Sequence, residues 1–385
     1  MNNFDLKNPT KILFGKGRIA NLNDQIPADA KVLVLFGGGS AERTGVLGQV
    51  REALCDRTLI EFGGIEPNPR YATALKAVDV IAENDVTFLL AVGGGSVIDA
   101  AKFIAAAAKY KGNAWDILTS GGSVIEDALP FGTVLTLPAT GSEMNNGSVI
   151  TNPEKGAKLP FRSAHCYPVF SVMDPEVTYS LPARQIANGV ADPFVHVIEQ
   201  YLTYPSASPI QDGFSETLLR TLIDLGPKAL EMPEDYDVRA NLMWTATLAL
   251  NGLIGAGVPQ DWASHMIGHE MTALNDTDHA RTLAVVLPAL LNDQRGPKRE
   301  KLLQYAANVW DIREGSDDER IDAAINATRG FFEKLGIKTR LGDYGFAEAD
   351  IDKIVFALHD HGMTVLGEND NITPEDARRI LVAAQ

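Results

Sequence analysis

Four short apolar runs punctuate the first half of the chain: KVLVLF at 31–36, TLIEF at 58–62, VTFLLAV at 86–92 and TVLTL at 133–137. They are mostly continuous rather than strictly alternating, the pattern of strands buried on both faces. Helical periodicity lies between them, over 70–84 and over the alanine-rich 97–110. Buried strands alternating with helices predict a parallel sheet covered on both sides. After Asp174-Pro175 the texture changes, and strand signals give way to long amphipathic stretches. These cover about 183–203, 208–231, 235–256, 260–274, 279–293, 297–311, 317–336, 348–361 and 373–384. The turn residues of DPEVTYSLP mark the change. The expected organisation is an α/β domain over residues 1–178, built on a Rossmann-like parallel sheet, followed by an all-helical domain over 179–385.

The first and third runs both end in GGGS, at 37–40 and 93–96. In GGGSVIDAAK, glycines follow a buried strand and open a helix, so bare backbone N–H groups face whatever sits at the helix start. That arrangement suits a phosphate. The spacing is not GxGxxG, and a glycine turn alone is often no more than tight packing. Ser96 serves as cap or phosphate donor; Asp99, one turn on, either holds a ligand hydroxyl or complements the helix dipole. A ligand long enough to touch both GGGS turns is a dinucleotide. No acidic residue follows the first strand to take a ribose 2′-hydroxyl, whereas Gly38, Gly39 and Ser40 leave room for a 2′-phosphate, with Arg43 close in sequence. This favours NADP over NAD. A third segment, TLPATGSE at 136–143 followed by Asn145 and Asn146, places hydroxyls and amides after a strand, where they bond a ligand or simply make a turn.

The helical half holds a different chemistry. Asp192 and His196 are four apart, His265 and His269 are four apart, and His279 follows ten residues later, in a chain with seven histidines. Residues at i and i+4 share a helix face, so each pair can aim two ligand atoms at one centre. One carboxylate with several imidazoles is a first shell for a divalent transition metal. Spacing alone does not say which histidines ligate.

Composition narrows the function. A net charge of −16 with no basic block argues against nucleic acid or an anionic membrane as partner. No apolar run is long enough to span a membrane, the N-terminal segment has no signal core, and two cysteines make no disulfide framework. The expectation is a cytoplasmic enzyme with two inert, partly buried thiols.

A phosphate-binding domain joined to one that carries metal ligands places the ion in a cleft between them. There a metal polarises a carbonyl oxygen while a nicotinamide delivers hydride to its carbon. That combination predicts an alcohol dehydrogenase or aldehyde reductase. A metal-dependent hydrolase uses the same ligands but needs no dinucleotide site, and a non-catalytic metal or nucleotide sensor is the third reading.

At full length the sequence resembles the iron-containing (group III) alcohol dehydrogenases. FGKG near the N-terminus, GGGSVIDAAK, TLPATGSE, DPEVTYSLP, the DxxxH at 192–196 and HMIGHEMTALNDTDHARTLAVVLP from 265 carry the likeness. The first-strand GGGS and the run GLIGAGVPQDWASH resemble the bacterial NADPH-dependent aldehyde reductase and butanol dehydrogenase branch. The resemblance implies a dehydroquinate synthase-like fold and a zinc or ferrous ion ligated by Asp192, His196, His265 and His279. It makes His269 a non-ligand histidine beside nicotinamide and substrate, with a catalytic role in proton transfer. It implies pyrophosphate contacts at Gly94, Gly95 and Ser96 with Asp99 nearby, and 2′-phosphate contacts around Gly38, Gly39 and Ser40. Asn68, Thr136, Thr140, Asn145 and Lys158 correspond to further NADP(H) contacts. The implied reaction is reversible reduction of short- to medium-chain aldehydes to primary alcohols by a homodimer; glycerol or polyol dehydrogenases share the fold.

Overall fold

The apolar runs become four adjacent strands of a parallel sheet in the computed structural model, which describes all 385 residues. In chain order the strands are β1 (Lys11–Phe14), β2 (Lys31–Phe36), β3 (Thr58–Phe62), β4 (Phe88–Gly94), β5 (Phe131–Leu137), β6 (Gly147–Asn152), β7 (Ala157–Arg162) and β8 (Phe170–Met173). Six form an all-parallel sheet in the order β1-β8-β5-β4-β2-β3, while β6 and β7 make an antiparallel hairpin. Alternate side chains point to opposite faces, and both faces are covered. Leu33, Leu35, Leu89 and Ala91 pack with α3 (Tyr71–Asn84) and α4 (Gly95–Ala107). Val32, Val34, Leu90 and Val92 pack with α2 (Val46–Ala53), which follows the single turn α1 (Ser40–Arg43). A short α5 (Trp115–Thr119) precedes β5.

The second half is helical, as its periodicity predicts: α6 (Ala183–Tyr201), α7 (Pro209–Glu231), α8 (Tyr236–Ala249), α9 (Ala263–Asn275), α10 (His279–Asp293), α11 (Arg299–Val309), α12 (Asp317–Lys334), α13 (Glu348–Asp360) and α14 (Pro374–Ala383). One boundary differs clearly. The periodic stretch over 235–256 stays helical only to Ala249, because Gly252 takes φ 93° and the Asn251 side chain bonds the Leu253 amide. A left-handed residue and a side-chain turn end the helix.

The chain divides into two compact units. One comprises Lys7–Leu181 with Glu234–Thr247, and holds the sheet and hairpin; the other comprises Met1–Leu6, Pro182–Pro233 and Leu248–Gln385. No helix is long and apolar enough to cross a membrane. Of the two thiols, Cys166 is buried and its pKa is pushed up to about 12 by that burial, whereas Cys55 is exposed rather than partly buried.

Candidate metal centre and dinucleotide site

In the α/β unit, strand order decides where a ligand can sit. The chain leaves β2 toward β3 and leaves β4 toward β5, in opposite directions along the sheet, so β2 and β4 flank a topological switch point. Open α/β sheets bind ligands outside the carboxyl ends of the strands at that point. The segments 37–40, 94–96 and 136–142 are the carboxyl-end continuations of β2, β4 and β5, which are neighbours in the sheet. Gly94 and Gly95 enter α4 directly. A Cβ on Gly95 would lie 2.4 Å from Thr140 Oγ1, so the glycine lets the β4 and β5 turns touch. The β4–β5 register slips between Gly93, opposite Leu135, and Gly94, opposite Leu137, leaving Thr136 as the extra residue of a bulge. Gly38 and Ser40 are exposed, and Arg43 Nη1 lies 3.5 Å from where a Cβ of Gly39 would be.

The hairpin adds the remaining expected contacts. Lys158, opposite Thr151, donates from Nζ to Asn68 Oδ1 at 2.9 Å. Asp99 anchors β6: its Oδ2 accepts from the Val149 amide at 2.9 Å and its Oδ1 from Ser142 Oγ at 2.6 Å. Burial raises the Asp99 pKa against the pull of Lys102. Lys102 is the residue that sequence reasoning passed over. It stands inside GGGSVIDAAK, yet its Nζ is buried and donates to Ser142 Oγ, Asn145 Oδ1 and the Gly147 carbonyl at 2.7–2.8 Å. Burial pushes its pKa down to about 8, with Asp99 opposing. It is a hub that sets Asn145 and, through Ser142, Asp99.

The helical unit brings the carboxylate and imidazoles together. Asp192 Oδ1 lies 3.5 Å from His196 Nε2, 3.9 Å from His265 Nε2 and 3.8 Å from His279 Nε2. Asp192, His265 and His279 place donor atoms within 4.8 Å of one another. A tetrahedral ion with bonds of about 2.1 Å separates its ligand atoms by about 3.4 Å, so the Asp192–His265–His279 set fits a zinc or ferrous ion once its atoms draw inward, while His196 stands outside that group of three, beside Asp192. His269 lies beside it, with its ring centroid 5.1 Å from that of His279 and 6.3 Å from that of His265.

The sequence profile of the iron-containing alcohol dehydrogenases matches residues 9–175, and the C-terminal profile of the same family matches residues 186–384. The chain belongs to the iron-containing alcohol dehydrogenase family. It is 62% identical to the NADPH-dependent aldehyde reductase YqhD of Escherichia coli K12, over the full length of both. It is 42% identical to the probable NADH-dependent butanol dehydrogenase 1 of Bacillus subtilis, again over the full length of both. Its fold matches that of NADH-dependent butanol dehydrogenase A from Thermotoga maritima with a TM-score of 0.95 and 38% identity, covering all of this chain and 99% of the other.

One face of α6 does much of the building in this family member. At steps of three or four, Arg184, Asn188, Asp192, His196 and Glu199 share that face. Arg184 Nε and Asn188 Nδ2 donate to Asp278 Oδ2 at 2.7 and 2.8 Å, fixing the residue just before His279. Glu199 Oε1 accepts from the Ser264 amide at 2.6 Å, and its Oε2 pairs with His265 Nδ1. That pairing places the Nδ1 proton on the Glu199 side and leaves the Nε2 lone pair facing Asp192 Oδ1, as metal ligation requires. Burial alone would lower the His265 pKa; the Glu199 carboxylate outweighs it, with Asp192 adding, and the value is pushed up to about 9. Sequence reading missed Glu199, although its position, three after His196 and seven after Asp192, was the available signal. Glu199→Gln is expected to keep the α9 amide contact but weaken metal retention by about 10–100-fold. Chelator competition measures this; retention equal to wild type would remove Glu199 from the account.

Proposed function

We propose that this protein reduces short- to medium-chain aldehydes to primary alcohols with NADPH, reversibly, using a divalent ion held by Asp192, His196, His265 and His279. The observation that carries this reading is the approach of three imidazole Nε2 atoms to one buried carboxylate oxygen at 3.5–3.9 Å. The 62% identity to an NADPH-dependent aldehyde reductase supports the substrate class and cofactor. When bound, the ion supplies Lewis-acid polarisation of the carbonyl and the nicotinamide supplies the hydride. Glu199 and Asp278 keep the ligand side chains in place, and His269 moves the proton that the product hydroxyl requires.

On the cofactor side, Gly94, Gly95 and Ser96 take the pyrophosphate with Asp99 nearby, and Gly38, Gly39 and Ser40 make room for the 2′-phosphate. Asn68, Thr136, Thr140, Asn145 and Lys158 complete the NADPH contacts. The same proposal makes the protein a cytoplasmic homodimer, which light scattering tests by mass. Elemental analysis of protein purified without added metal, paired with an aldehyde panel using NADPH and NADH, tests the function. Bound zinc or iron and faster butanal turnover with NADPH are expected. Protein that neither binds NADPH nor oxidises it with any aldehyde would overturn the reading.

A further inference from the structure

Trp262, the residue before α9, has φ 66° and ψ 4°, a left-handed conformation that bulky side chains rarely take. Such residues persist where their surroundings over-determine them, and they cluster at functional sites. Here both neighbours are pinned. The Asp261 amide donates to the Glu199 carbonyl at 2.8 Å, and Asp261 Oδ1 accepts from the Ala263 amide at 2.9 Å. Asp261 Oδ2 sits 3.0 Å from Lys298 Nζ. The same ammonium donates to both Glu368 oxygens, at 2.7 and 2.6 Å, and to the Leu202 carbonyl at 2.7 Å. The Lys298, Asp261 and Glu368 side chains are only 2–3% exposed. A buried ammonium facing two carboxylates is weak evidence for stability, because desolvation opposes the attraction. What it does provide is a fixed junction between the end of α6, the loop entering α9, the turn before α11 and the segment before α14.

The fixed object at that junction is the indole. Trp262 Nε1 donates to Gln260 Oε1 at 2.9 Å, and the ring stands edge-on to His265 and His196, with centroids 5.3 and 6.2 Å apart. We infer, resting on the aldehyde-reductase reading above, that Trp262 is the wall that sets aldehyde specificity and that the buried Lys298–Asp261–Glu368 triad is its positioning device. With its centroid 5.3 Å from that of His265, the indole stands within reach of the chain of an aldehyde whose oxygen sits among these histidines. Because the ring is held from both its backbone neighbours and its Nε1, it cannot swing away from bulk next to the carbonyl. The wall therefore selects straight-chain aldehydes over those branched beside the carbonyl.

The test compares kcat/KM for butanal and trimethylacetaldehyde in metal-loaded wild type, Trp262→Ala, Trp262→Phe and Glu368→Gln. Trp262→Ala is expected to raise the branched-to-straight ratio about tenfold with metal content unchanged, while Trp262→Phe keeps it near wild type. Glu368→Gln is expected to move the ratio the same way by less. It should also make the Trp262 fluorescence, obtained as wild type minus Trp262→Phe in each background, more accessible to acrylamide. Lys298→Arg supplies the same two readouts if Glu368→Gln is not recovered folded. An unchanged ratio in Trp262→Ala overturns the wall, and folded triad variants with unchanged ratio and quenching overturn the clamp. Wild type that reduces neither aldehyde overturns the underlying function and with it the wall, while quenching still decides the clamp.

Discussion

Asp192→Ala protein is expected to lose its bound metal and, with it, at least about 10³-fold in aldehyde reduction, since Lewis-acid polarisation is worth several kcal/mol of transition-state stabilisation. The magnitude follows from Asp192's position at the centre of the donor set. Its Oδ1 faces the Nε2 atoms of His196, His265 and His279, and its side chain is buried. Without that oxygen the three imidazoles have no anionic partner among themselves to offset the charge of an ion. Asp192→Asn separates charge from shape, because it keeps the volume and one oxygen but removes the negative charge, and it is expected to fall between wild type and Asp192→Ala in metal content. Elemental analysis of each purified variant, with NADPH oxidation followed by absorbance, checks both. Full metal occupancy and full activity in Asp192→Ala would sink the proposed centre.

How far the sequence carries these conclusions differs between the two units. Three of the four apolar runs lie on the inner strands β2, β4 and β5, where burial on both faces writes a mostly apolar signature, while the fourth is the half-buried edge strand β3, interrupted by Glu61. β1 and β8 left no such mark, because each has four residues and much of the stabilisation of each comes from pairing with a partner distant in sequence. The β6–β7 hairpin was equally silent: its strands carry Lys158 and Pro160, and its register depends on Asp99, far upstream. Helices fared better, since an amphipathic period persists over many residues, as on α6 and α12. For the metal centre, i, i+4 spacing flagged Asp192 with His196 but gave His269 the same standing as His279. Periodicity describes one helix at a time, whereas His279 starts a different helix whose placement depends on Arg184, Asn188 and Asp278. Lys102 was hidden for a related reason. A lysine within a helix reads as solvated, and nothing local shows that three oxygen acceptors from the following turn and hairpin surround it.

Gly95→Ala should weaken NADPH binding on the order of 10²-fold, the scale at which a displacement of about 1 Å disturbs a positioned site. The new Cβ would lie 2.4 Å from Thr140 Oγ1, 2.6 Å from its Cγ2 and 3.0 Å from its Cβ. A clash spread over the whole threonine side chain cannot be relieved by rotating one torsion, so the β5 turn itself has to move. That turn continues through Ser142 and Asn145 to Lys102, which carries the displacement to Asp99 and the hairpin. Overpacking at such a point also costs stability, by about 1–3 kcal/mol. Gly38→Ala is the reference for stability, since nothing lies within 4 Å of its added Cβ. NADPH titration by fluorescence, thermal unfolding and elemental analysis together distinguish the outcomes. The proposed metal ligands all lie in the other unit, so Gly95→Ala is expected to keep the metal while losing the cofactor. Loss of metal alongside cofactor would mean that the protein is globally misfolded, and unchanged NADPH affinity in a folded protein would mean that the GGGS turn after β4 is packing alone.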